Sequence, residues 1–171
     1  MNLTAAGLIA TAISYVLLVT AAVHLVWPWM NRHSVAVALS LPLWVHAFRH
    51  IALQIFSAQR VGFAISDQTA AEIAWGDVAG AALALVALWL LNARHSAARI
   101  VVWLFVIESA ADLLNATLMG IREQAFESAH AVTWLILTFY APALWTTLAL
   151  LVWQLVTRRG EKLDIPGRSY S

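Results

Sequence analysis

Residues 44–54 read Trp44-Val45-His46-Ala47-Phe48-Arg49-His50-Ile51-Ala52-Leu53-Gln54, inside an apolar run from about 34 to 58. Such a run can cross a bilayer, which takes about 20 residues of helix. Yet it carries His46, Arg49, His50 and Gln54. A charged side chain at the centre of a spanning helix costs roughly 2.5–3.5 kcal/mol on the insertion scale. A chain retains such groups where they pair, line a wet cavity or perform chemistry. Another apolar run holds their complement: Glu108, Asp112 and Asn115.

Working outward, apolar runs of spanning length recur near 4–30, 34–58, 70–92, 97–120 and 129–157. They predict an all-α membrane protein, a compact bundle of five transmembrane helices. Ser34, Thr69 with Glu72, Ser96 and Ser128 are the expected helix caps. Arg60–Gln68, with Gly62, Ser66 and Asp67, reads as a loop. The expected organisation is one domain over 1–159 and a short polar cytoplasmic tail over 160–171, containing Pro166-Gly167. The first run has no Lys or Arg before it and exceeds a signal-peptide core in length, so it reads as a span.

Basic residues set the expected orientation. Arg32, Arg94, Arg99, Arg158, Arg159, Lys162 and Arg168 fall on one side of a five-span chain, and only Arg60 and Arg122 on the other. The positive-inside rule then puts the N-terminus outside and the C-terminus in the cytoplasm. Compactness points to a bacterial inner (cytoplasmic) membrane.

The chain of 171 residues is 62% hydrophobic and 11% charged, with a formal net charge of +1. That charge provides no basic footprint for nucleic acid. Cysteine is absent, which excludes disulfides, thiolate metal sites, iron–sulfur clusters and covalent haem attachment. No P-loop, dinucleotide fingerprint, nucleophile elbow or H-E-x-x-H motif occurs.

The chain is rich in tryptophan, with nine. Trp27, Trp29, Trp75 and Trp153 are expected at interfaces as an aromatic belt. Trp44, Trp103, Trp134 and Trp145 lie deeper, as packing residues or, for Trp44, Trp103 and Trp134, as the wall of a ligand pocket. Gly76, Gly80 and Ala84 form a small-xxx-small stripe for close helix approach. That approach is either internal or between the protomers of a homodimer. Pro42 and Pro142 are expected to kink their helices.

His46, His50 and Gln54 are four apart and, in a regular helix, share a face. Glu108, Asp112 and Asn115 form another stripe. The two stripes match in depth, with Arg49, His50 and Asp112 about 6 Å nearer the outside than His46 and Glu108. Asp77 and His130 are placed to close the cluster from above.

Three readings follow. In the first, the buried site of His46, Arg49, His50, Gln54, Asp77, Glu108, Asp112 and Asn115 binds a small ligand, proton or cation, for transport or sensing. Its acid exceeds its fixed positive charge, so a proton or cation must balance it. Transport by so small a bundle would require a dimer or another partner. In the second, the protein is an intramembrane enzyme acting on an amphiphilic substrate, with Glu108 or Asp112 as acid–base and Arg49 holding an anion. A transition metal on His46, His50, Glu108 and Asp112 would give an N2O2 set, although Arg49 beside a dication is unfavourable. Haem would need His46 or His50 to face His24 or His130, which belong to opposite ends. In the third, the ion pairs only fix packing, with Arg49 between Glu108 and Asp112.

Overall fold

The computed structural model describes residues 2–161, and every long element among them is helical. Five helices are long and apolar enough to cross a membrane: α1 (Leu3–Asn31), α2 (Val35–Arg60), α3 (Asp67–Asn92), α4 (Ala98–Arg122) and α6 (Ala131–Thr157). A short helix, α5 (Ala125–Ser128), joins α4 to α6. All but the first two residues of the expected tail, with Lys162, Pro166, Gly167 and Arg168, lie outside the described residues.

Three helices depart from regular winding. In α1 a π stretch covers Ala22–Val26, and in α6 another covers Ile136–Tyr140. Each ends two residues before a proline, Pro28 or Pro142. Proline lacks an amide hydrogen and its ring crowds the carbonyl four residues back. A wider turn just before the ring relieves that conflict. Pro42 instead lies within regular α-helix, and α2 tightens further on to a 3-10 stretch over Phe48–Leu53.

The caps differ in detail from expectation. Ser66, not Thr69, caps α3, its hydroxyl accepting from the Thr69 amide at 3.2 Å. Ser34 precedes α2 without a side-chain cap bond, and α4 starts from Ala97. Ser128 ends α5, and His130 is the residue that precedes α6.

Helix α3 packs against α2 on one flank and α4 on the other, while α6 closes the bundle against α1, α2 and α4. Leu39, Leu43, Leu91, Val102, Phe105, Leu151 and Leu155 form the fully buried centre of the core. Helix α1 is the least buried of the five and rests mainly on α6. At Gly7 it meets α5 so closely that a Cβ would collide with the Phe126 ring. Alternating helix directions gather Arg32, Arg94, Arg99 and Arg158 at one end and Asp67, Glu72, Glu123 and Glu127 at the other. These are called the basic and acidic ends below.

Candidate functional site

The 3-10 stretch determines which side chains of α2 face inward. At about three residues per turn, positions i and i+3 align. His46, Arg49, Ala52 and Ile55 are accordingly buried, every third residue. His50 and Gln54 are turned to the exposed surface, and the His50 Nδ1 rests 3.2 Å from the Ala47 carbonyl of its own helix. The expected stripe of His46, His50 and Gln54 is therefore split.

Arg49 is fully buried and spends its guanidinium on two helices. Nε donates to Asp77 Oδ1 of α3 at 2.6 Å. Nη1 donates to Ser109 Oγ of α4 at 2.8 Å, and Nη2 pairs with Asp112 Oδ2 of α4. A planar fork with donors in several directions suits this task, where a lysine would offer one point charge. Ser109 passes the contact on, donating to Glu108 Oε2 at 3.1 Å. One fixed positive charge thus meets three carboxyl groups.

The glycines on α3 make room for this network. A Cβ on Gly80 would lie 2.5 Å from Arg49 Nη1 and 2.9 Å from Cζ. A Cβ on Gly76 would run into the Asp112 carboxylate. Ala84, next along the stripe, is fully buried in the core. The stripe is an internal seam, and at Gly76 and Gly80 it clears space for charged side chains as well as for helix approach.

The remaining candidates make no hydrogen bond to Arg49, whose bonds go to Asp77, Ser109 and Asp112. His46 Nε2 is 3.2 Å from Thr147 Oγ1 of α6, its ring stands edge-on to Phe105, and its Nδ1 is buried without a partner. Asn115 is exposed and contacts Met119 of its own helix. His130 holds the Ser128 carbonyl through Nδ1 at 2.9 Å. His24 is exposed near the basic end. Among the described residues no three His, Asp or Glu side chains gather as metal ligands. His46, His50, Glu108 and Asp112 do not assemble as a set because the 3-10 turn sends His50 outward.

A cavity of about 120 Å³ lies beside the ion pairs. It extends from Phe63, Ile65 and Thr69 near the acidic end to Asp77, Tyr140 and Leu144. Its walls are mostly apolar, and Asp77 is the one charged residue lining it. The Tyr140 hydroxyl donates to the Val45 carbonyl at 3.1 Å, tying the π stretch of α6 to α2. A second cavity, of about 230 Å³, lies between α1, α2 and α6, lined by Leu18, Pro42 and Thr147 among others. No tryptophan lines either cavity. Trp44 is 53% exposed, Trp103 packs against the main core, and Trp134 packs beside Phe126. The cavity beside Asp77 is lined instead by aliphatic and threonine side chains together with Phe63 and Tyr140.

Ser109 and Tyr140 join the site without having been singled out in the sequence. Ser109 carried a signal, since it lies three residues before Asp112 on a helical face. Tyr140 carried none beyond its position just before Pro142.

A family model described as a domain of unknown function (DUF8737) matches residues 7–156, and the chain belongs to that family. No curated protein and no solved structure matches the chain.

Proposed function

We propose that this member of the DUF8737 family is a five-span membrane protein whose interior acid site takes up a proton or a small ligand through the cavity ending at Asp77. The N-terminus lies outside and the C-terminus in the cytoplasm, with residues 1–159 as the membrane domain and 160–171 as its tail. A bacterial cytoplasmic membrane is the expected location. The Arg-rich basic end supports this orientation, because spanning proteins retain Lys and Arg on the cytoplasmic side.

One observation carries the binding reading. The single charged side chain of a mostly apolar cavity is a carboxylate belonging to a buried cluster with more acid than base. A ligand suited to it has a small apolar body and a positively charged or hydrogen-bond-donating head. Asp77 accepts the head, and the aliphatic walls accept the body. Engineered apolar cavities of about 150 Å³ hold benzene, which sets the scale of the ligand.

Benzylamine, toluene and benzyl alcohol are suitable probes. In detergent, benzylamine should bind the parent protein more tightly than toluene does, and Asp77→Asn should remove that preference. Equal affinities for the three in both proteins would refute the binding reading.

The packing alternative is supported by Arg49 itself, whose contacts with Asp77, Ser109 and Asp112 are all internal. Under that reading Asp77→Asn lowers thermal stability and leaves probe binding unchanged per folded molecule.

A further inference from the structure

We infer that the segment between α2 and α3 is a lid over the cavity mouth, latched shut by Glu123. The inference rests on reading the cavity as the route to Asp77. Phe63 and Ile65, both in this segment, form part of the cavity wall. Gly62 has φ +108°, with open space where a Cβ would stand. Only glycine adopts that backbone readily, so the segment has a pivot at its start.

The lid's backbone–backbone bonds are local, to Ala58, Gln59 and Phe63. Side chains hold it to the rest of the bundle. The Glu123 carboxylate, just past the end of α4, accepts from the Ser66 amide at 2.6 Å and the Ser66 hydroxyl at 2.7 Å. It also accepts from the Thr69 hydroxyl at 2.5 Å. Ser128 Oγ accepts from the Ala64 amide at 2.9 Å.

Thr69 belongs both to the latch and to the cavity wall. Gly120 and Ala125, on either side of Glu123, form the opposite lip. One carboxylate therefore joins the two lips through three hydrogen bonds. Opening also lifts Phe63, 5% exposed, from a small apolar cluster with Ile55, Ala70, Ala74, Ala125 and Ala129, and leaves the separate main core packed, as local openings do. Gln124, with φ 51°, fixes the turn that presents the carboxylate.

The native chain has no cysteine, so a single introduced thiol reports access cleanly. Leu137→Cys places it in the cavity wall. The readout is its rate of modification by a small, water-soluble methanethiosulfonate in the purified full-length protein.

Adding Glu123→Ala should raise the rate about tenfold or more, the scale expected when hydrogen bonds to a charged group are lost. Glu123→Gln, which keeps one acceptor oxygen, should fall between. Glu127→Gln, on α5 and outside the latch, should leave the rate unchanged. An unchanged rate in Glu123→Ala, or an equal rise in Glu127→Gln, would overturn the lid. The measurement needs no ligand, so its failure leaves the Asp77 binding test intact. Faster labelling without benzylamine binding would support the lid and discard the ligand.

Discussion

Arg49 and Asp77 are joined Nε to Oδ1 at 2.6 Å, between a fully buried guanidinium and a carboxylate that also lines a cavity. The same guanidinium reaches Asp112 on α4, so one side chain ties three helices. Removing it strands acid inside the bundle. Arg49→Met should lower stability by about 3–5 kcal/mol, the range for breaking one side of a buried pair. Arg49→Lys should recover only part, since an ammonium cannot serve Asp77, Ser109 and Asp112 together. Thermal melts in detergent decide this. A Met variant as stable as the parent would show that the pair adds no net stability.

Gly80→Ala and Gly76→Ala should also destabilise, by about 1–3 kcal/mol, as overpacking does. The new methyl groups meet the Arg49 guanidinium and the Asp112 carboxylate, neither of which can withdraw without losing its partner. Gly160→Ala has nothing within 4 Å and serves as the neutral comparison. Equal melting temperatures across the three would mean that the seam yields more easily than its contacts imply.

The five helices were legible in the sequence because apolar length and breaks between runs are local properties. Helix boundaries moved by a few residues, as at α3, where Ser66 takes the cap expected of Thr69. On regular α4, Asp112 points where a 3.6-residue period puts it, but Asn115, expected on the same stripe, is exposed, and Arg49 is held between Asp77 and Asp112, not between Glu108 and Asp112. The basic half was misread because that period was extended through α2. Phe48–Leu53 winds as a 3-10 helix, aligning His46 with Arg49 and turning His50 and Gln54 outward. Tyr140 takes the Val45 carbonyl at the end of the regular helix, and Arg49 is held from α3 and α4. These tertiary contacts leave no local sequence mark.

Orientation is open to a direct test. Single cysteines at Glu127 and His95 lie at the acidic and basic ends respectively. In intact cells an impermeant maleimide should label Glu127→Cys and spare His95→Cys, from the distribution of Arg and Lys. Labelling of both from outside would overturn the five-span topology.

The latch should depend on pH in one direction. Hydrogen bonds from the Thr69 hydroxyl, then from the Ser66 hydroxyl and amide, hold the Glu123 carboxyl below the usual glutamate range. A carboxyl lowered in the folded state contributes stability above its ordinary pKa and loses it as pH falls through the lowered value. The other charged or titratable residues at this end are Arg60, Asp67, Glu72, Arg122, Glu127 and His130, and no hydrogen bond to Glu123 comes from any of them. The Ser66 amide resonance should therefore move on acidification, with a midpoint below that of free glutamate, and Glu123→Gln should abolish the shift. A midpoint at or above the ordinary value would contradict the three bonds.

Asp112→Asn and Glu108→Gln separate a binding role from a packing role, because the two carboxylates are held differently. Asp112 meets Arg49 directly, whereas Glu108 is reached through Ser109 and is only half-buried. Asp112→Asn should cost the larger share of stability, toward the several kcal/mol of a broken buried pair. Glu108→Gln should cost no more than about 1 kcal/mol, because its amide can still accept from Ser109. If the excess acid serves a ligand or proton, Glu108→Gln should weaken benzylamine binding or proton uptake while the protein melts near the parent temperature. Proton uptake across a pH step and benzylamine titration, on the same samples as the melts, provide the comparison. Unchanged binding and uptake in both variants, with stability lost only in Asp112→Asn, would leave Glu108 without a functional part and Arg49–Asp112 as a packing tie.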